Sequence, residues 1–196
     1  MESNYHVPVM LEACLEGLNI KPDGVYVDVT FGGGGHSRAI LERLGKNGML
    51  IAFDQDPDAQ RNKIDDPRFL FVDQNFAFLK NNLRLLGYRQ VDGILADLGV
   101  SSHQFNEPER GFSTRFDSSL DMRMDKQGKL TAADVLNTYA EEDLHKIFGI
   151  YGEVKNAKSL ARTIVTARAS APIITLAEFK KAIAAHIPKG KEHKYM

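Results

Sequence analysis

Val25 to His36, VYVDVTFGGGGH, runs a short apolar-alternating strand directly into four consecutive glycines and a histidine. A strand ending at Val29 would deliver the backbone to the edge of a parallel sheet. Residues without a Cβ then let main-chain N–H groups approach a ligand closely, and a helix is expected to open at about His36. The stretch reads as a nucleotide-binding turn. A Gly-rich surface turn is the plain alternative, but four adjacent glycines cost a great deal of backbone entropy for no binding gain.

Spacing narrows the ligand. A phosphate-cradling P-loop needs Lys and Ser/Thr directly after its last glycine, whereas Gly35 is followed by His36, Ser37 and Arg38. The dinucleotide fingerprint G-x-G-x-x-G places its third glycine on Ser37 or Arg38, which weakens a nicotinamide-dependent oxidoreductase without removing it. An acidic strand end, Asp28, followed by Gly32 to Gly35 fits better the way a fold of this architecture binds S-adenosylmethionine.

Downstream, Ile40, Leu41 and Leu44 form a helical stripe that stops at Gly45, read as a C-terminal cap. Met49 to Phe53 is a near-continuous apolar strand of the kind buried on both faces, and it ends at Asp54. A carboxylate there can accept hydrogen bonds from both ribose hydroxyls; the competing role is to start the turn at Asp56-Pro57. A helix from Pro57 to about Lys63 and a strand from Phe69 to Val72 are expected next. In Asp73-Gln74-Asn75-Phe76, Phe76 either stacks on adenine or joins Leu79, Leu83 and Leu86 in a core stripe ending at Gly87. Val91 to Ala96 makes a fourth strand leading to Asp97. Strand-helix alternation predicts a doubly wound α/β sheet with Gly35, Asp54, Phe76 and Asp97 all at its carboxyl edge. Upstream, Pro8 precedes a short helix with Met10, Cys14 and Leu18 on one face, and His6 is either a ligand contact or structural.

Composition sets the bounds. The chain has 196 residues and one cysteine, Cys14, so no internal disulfide can form, which fits a reducing cytoplasm. Neither a signal-like N-terminus nor an apolar run of transmembrane length occurs, so no membrane partner is expected and the protein reads as cytoplasmic. A net charge of −1 hides an asymmetry: through residue 152 there are 16 Lys+Arg against 23 Asp+Glu, and from Glu153 onward 9 against 3. The basic remainder suits a polyanion, or merely solvates helix faces.

Residues 97 to 125, DLGVSSHQFNEPERGFSTRFDSSLDMRMD, carry neither helical nor strand period over a length uncommon for a passive loop. Arg110, Arg115 and Arg123 could meet RNA phosphates or pair with Glu109, Asp117, Asp121 and Asp125. Beyond Thr131 the period is helical, with Ala132 to Thr138, Glu141 to Phe148, Glu153 to Ala169 and Leu176 to His186 expected as helices. Thr131 with Asp134 three residues later reads as an N-terminal cap, and Thr175 with Glu178 has capping-box spacing. Lys155, Lys158 and Arg162 share one face of the third helix, and Lys180, Lys181, Lys189, Lys191 and Lys194 follow.

HVPVMLEA, DVTFGGGGHS, AFDQDP, DQNF, DGILADLGVSSHQ, ERGFS and LDMRMD together closely resemble the bacterial small-subunit ribosomal RNA cytosine-N4 methyltransferases, the RsmH or MraW family. The resemblance covers essentially the whole chain. It implies a class I S-adenosylmethionine-dependent methyltransferase fold, Rossmann-like, with an inserted helical subdomain. The cofactor would be S-adenosyl-L-methionine, held by Gly34, Gly35, His36, Asp54, Phe76, Asp97 and Gln104, and no metal is implied. The implied substrate is a cytidine in the decoding region of 16S ribosomal RNA, so small-subunit rRNA is the expected partner, with a homodimer admitted. Asp97 is the catalytic candidate, set either against the target base or against the cofactor, and His103 is given no general-base role. Amino-group methyltransferases often place Asp/Asn-Pro-Pro-aromatic at this strand end, where this chain has Asp97-Leu98-Gly99-Val100; Phe112 or Phe105 would then have to clamp the base. The expected organisation is a cofactor domain over 1–100, an active-site loop over 101–130 and a helical substrate-recognition insert over 131–196. Family members continue past this point with further strands, so the chain is expected to be C-terminally shortened, with its fourth strand an exposed edge. The alternative function is a non-catalytic RNA- or cofactor-binding fragment.

Overall fold

The structure, a computed structural model, describes residues 8–188 together with Gly190 and Tyr195. The expectation for His6, and those for Lys189, Lys191 and Lys194, lie outside the described residues. The chain divides after Gly99 into two compact units.

The first unit is a parallel sheet of β1 (Val25–Asp28), β2 (Met49–Asp54), β3 (Phe69–Asp73) and β4 (Gly93–Leu95), in the order β3-β2-β1-β4. Val25 to Asp28 pair with Met49 to Ala52, and Tyr26 to Asp28 with Gly93 to Leu95. The pleat sends alternate residues to opposite faces. Tyr26 and Leu50 pack with Leu15 of α1 (Leu11–Leu18) and Ile40, Leu41 and Leu44 of and beside α2 (Gly35–Arg43). Val27, Ile51 and Phe53 pack with Leu83 of α3 (Leu79–Leu85) on the other face. Helices on both faces explain why β2 reads as an unbroken apolar run, its middle four residues all buried. This is a doubly wound α/β sheet, the architecture of class I methyltransferases. Its strand order reverses direction between β1 and β4, the crevice where such sheets bind ligands.

Several local expectations need correction. Met10 does not join the apolar face: it is the left-handed residue before α1 and is exposed, while Leu11, Cys14, Leu15 and Leu18 face the core. Gly45 is not a left-handed cap, because α2 ends in extended Leu44. Gly45 instead gives its N–H to the Pro22 carbonyl at 2.7 Å, where a Cβ would meet Pro22 Cβ at 3.1 Å. The helix expected over Pro57 to Lys63 is one 3₁₀ turn, Ala59–Asn62. The Asp54 and Asp56 carboxylates accept the N–H groups of Asp56 and Asp58, and such local bonds compete with helix formation.

The second unit is helical: α4 (Ser102–Asn106), α5 (Ala132–Thr138), α6 (Glu141–Lys146), α7 (Ala157–Ser170) and α8 (Leu176–Ile183). Its core of Leu136, Leu144, Leu160, Ile164, Ile173 and Ile183 also takes in Leu120 from the long loop. That loop is tied to the helices, since Leu120 N–H donates to the Ile174 carbonyl at 2.8 Å and Ser119 bridges Thr175. The expected cap at Thr131 forms, as a full capping box with Asp134, and so does the expected capping box at Thr175–Glu178. A π turn, Ile147–Tyr151, follows α6, so α7 starts four residues later than expected.

Candidate functional site

Asp28 ends β1 and is fully buried. Its Oδ2 accepts the Ser37 hydroxyl at 2.7 Å and its Oδ1 accepts the Thr30 N–H at 3.0 Å. Burial pushes its carboxyl up from the ordinary value, against the lowering effect of those bonds. Thr30 in turn accepts the N–H of Asp97 through its hydroxyl at 2.8 Å. The ends of β1, α2 and the segment after β4 are thus joined through one buried carboxylate and one hydroxyl.

The glycine loop is held from outside by three polar side chains. Asp54 Oδ2 accepts the Gly32 N–H at 2.7 Å, Asn62 Nδ2 donates to the Gly32 carbonyl at 3.0 Å, and Arg38 donates to the Gly33 carbonyl at 2.8 Å. Arg38 also reaches the Asn62 carbonyl at 3.2 Å, closing the ring. With its carbonyls so engaged, the loop keeps one shape. Two positions need glycine for different reasons: Gly34 has φ +76° and a Cβ there would lie 3.0 Å from the Phe31 ring, while Gly35 would meet Pro8 Cγ at 2.4 Å. Gly33 differs, since a Cβ there would have no atom within 4 Å among the described residues. That is the open side of the loop.

Six of the seven expected cofactor residues belong to the carboxyl edge of this sheet. Gly34 and Gly35 begin α2; His36 is buried, and its Nε2 has no partner among the described residues. Asp54 is half-buried, its second oxygen accepting the Asp56 N–H at 2.9 Å, and burial raises its carboxyl above the ordinary value. Phe76 is 45 % exposed, so its reading as plain core does not hold; Leu83 alone of that stripe is buried. Asp97 is exposed, with its backbone fixed by Thr30. A half-buried carboxylate at a strand end, an exposed aromatic ring, an open glycine wall and a buried imidazole nitrogen unpartnered among the described residues are groups that suit a nucleoside-bearing cofactor. Gln104 belongs to the second unit, where it is buried and its Oε1 accepts the Ser101 N–H at 3.1 Å in a capping box.

The loop arginines all have partners within the second unit. Arg110 is buried and donates to the Arg123 and Met124 carbonyls at 3.0 and 3.3 Å, so the phosphate reading fails for it. Arg123 makes a two-pronged pair with Asp121 at 2.6 and 2.9 Å, and Arg115 lies 5.0 Å over the Phe105 ring while donating to Asn106. Phe112 carries Arg110 at 5.8 Å, so both rings suggested as base clamps already face a guanidinium.

Sequence reasoning missed Thr30, Ser37, Arg38 and Asn62, the residues that fix the loop. Only the hydrophilic residues between apolar runs hinted at them.

A parallel sheet with a glycine turn after its first strand, an acidic second strand end and an acid after the fourth is the framework of the class I methyltransferases. The model of the MraW methylase family matches residues 3–196, and the chain belongs to that family. It is 56 % identical over 192 residues to the Ribosomal RNA small subunit methyltransferase H of Christiangramia forsetii. The proteins of the same name from Flavobacterium johnsoniae and Bacteroides thetaiotaomicron are each 57 % identical to it, over 192 and 193 residues. Each alignment covers 98 % of this chain and 64 % of the relative, so the chain spans a little under two thirds of their length.

Proposed function

We propose that the chain carries the cofactor site and helical subdomain of an S-adenosylmethionine-dependent methyltransferase acting at N4 of a cytidine in the decoding region of small-subunit rRNA. The observation that carries the reading is the ring of bonds among Asp54, Asn62 and Arg38 around the glycine loop, which prepares one rigid wall beside a ribose acceptor. Membership of the MraW methylase family, and the relatives that are small-subunit ribosomal RNA methyltransferases, support methyl transfer to that RNA.

Gly33, Gly34 and Gly35 would pass under the cofactor, Asp54 would accept its ribose hydroxyls, Phe76 would lie against its adenine and His36 would donate or accept through Nε2. When bound, S-adenosylmethionine supplies an electrophilic methyl group on a sulfonium. The N4 lone pair of cytosine is delocalised into the ring, so a carboxylate accepting one N4 hydrogen favours its rehybridisation and then holds the proton released as the N–C bond forms. Asp97 would do this, its backbone clamped to Thr30 so that the carboxylate stays at the crevice.

A second reading, a non-catalytic cofactor- or RNA-binding module, is favoured by β4, an outer strand of three residues whose Ile94 is 50 % exposed. Incubation with methyl-labelled S-adenosylmethionine and small ribosomal subunits lacking the modification separates the two. Label on the N4 of one cytidine supports the enzyme; cofactor binding without transfer supports the module.

A further inference from the structure

The second unit holds a cleft of about 390 Å³ lined by His145, Lys155, Asn156, Lys158, Ser159 and Arg162. Three of these are permanently cationic, one is a histidine and none is acidic. Lys155 and Lys158 have no ion pair among the described residues. Arg162 has only an exposed contact with Glu141 at 3.4 Å, which is worth little. Asn156 is spent elsewhere: its amide donates to the His186 carbonyl at 3.0 Å and its oxygen accepts the Tyr195 hydroxyl. It therefore does not cap the first turn of the 14-residue α7, and the helix dipole adds to the positive field of the side chains. Clustered cations with a single, exposed counter-charge among them repel one another, and an anion with several oxygens relieves that repulsion.

The neighbouring π turn adds a second kind of contact. Ile150 and Tyr151 are 67 % and 82 % exposed, an unusual position for two large apolar groups on adjacent residues. A Cβ at Gly149, in the same turn, would lie 3.6 Å from Ala157 Cβ and 4.0 Å from the His145 ring, so the turn packs against the start of α7 beside the cleft. A cationic groove next to an exposed aromatic face is the arrangement by which proteins hold single-stranded nucleic acid: phosphate in the groove, base on the ring.

We propose that this cleft binds a backbone phosphate of single-stranded RNA through Lys155, Lys158 and Arg162, with Tyr151 as the face on which a neighbouring base stacks. The proposal rests on the reading of rRNA as substrate and names a contact surface for it outside the cofactor unit. Single strands are preferred because bases within a duplex are already stacked.

The test uses the 196-residue chain and a short fluorescent single-stranded RNA, with anisotropy followed across a salt series. K155A/K158A is expected to flatten the dependence of log affinity on log salt by about 1 to 2. Y151A is expected to weaken binding roughly 5- to 150-fold with the slope kept, and Y151F to restore it. K46A, at an exposed lysine of the first unit, should change neither. The same sequence as a duplex should bind more weakly and ignore Y151A. Wild-type affinity in Y151A, an unchanged slope in K155A/K158A, or equal loss on duplex overturns the proposal. Binding of S-adenosylmethionine is measured on every variant: RNA binding that survives all substitutions sinks the cleft and leaves the functional reading standing, whereas a wild-type chain that binds no RNA sinks both.

Discussion

Replacing Asp54 by alanine should separate the cofactor unit from the helical one in a single experiment. In the free chain Asp54 accepts two backbone N–H bonds, from Gly32 at 2.7 Å and Asp56 at 2.9 Å. Bonds to an ionised acceptor are worth about 1.5–3 kcal/mol each, but the carboxylate is half-buried and its own desolvation offsets part of this, so a net loss of about 2 kcal/mol in the first unit is expected. Cofactor binding should suffer more. Two ribose hydroxyls on a carboxylate contribute about 2–4 kcal/mol after exchange with water, which is roughly a 30- to 1000-fold rise in Kd. Lys158→Ala, in the second unit, should leave that Kd within about 2-fold. Titration calorimetry with S-adenosylmethionine reads the affinity, and far-ultraviolet circular dichroism confirms that the sheet persists. Equal losses in the two variants, or a folded Asp54→Ala that binds like the parent, refute the ribose assignment. Acidity supplies an internal check. Burial raises the Asp54 carboxyl above 3.8, so the folded state holds more protons than the unfolded one in the window above that value. On acidification through that window the free chain gains stability from Asp54 while cofactor affinity falls, and Asp54→Asn should flatten both trends.

The glycines of the loop should not be equivalent. Gly34→Ala forces a left-handed alanine against the Phe31 ring and should cost about 2 kcal/mol or more in thermal unfolding, whereas Gly33→Ala, facing open space, should leave folding within about 0.5 kcal/mol and lower only cofactor affinity. Asp66, paired to Arg68 at 2.6 Å, has its carboxyl lowered from 3.8 to about 2. Its contribution is complete above 3.8 and is lost as pH falls toward about 2, so acid unfolding followed by circular dichroism should be shallower over that window in Asp66→Asn.

The sheet was legible because burial on both faces leaves an unmistakable trace: β2 has no polar residue between Met49 and Asp54. The places of Asp54 at the end of β2 and of Asp97 just past β4 were legible for a related reason, as the first acids after apolar runs. The residues that shape the loop were not, because Arg38, Asn62 and Thr30 act through bonds between positions 5 to 67 apart, which no local period records. The long loop hid a different signal. Ser101 and Gln104 have capping-box spacing and do open α4, but the helix is only five residues long and buries only Gln104, so no apolar stripe accompanies it. Charge was the least informative guide, since arginines that look like phosphate contacts are spent on carbonyls, on Asp121 and on Phe105. The lysines at the start of α7 differ from them only in lacking such partners among the described residues, which required the packing to be known.

The claim on which the rest depends is that the residues at the carboxyl edge of the sheet hold a methyl donor. Calorimetric titration of the same preparation with S-adenosylmethionine and, separately, with NAD addresses it directly. One S-adenosylmethionine per chain with no heat from NAD is the expected result; binding of NAD in its place, competed by neither the methyl donor nor its demethylated product, would contradict it.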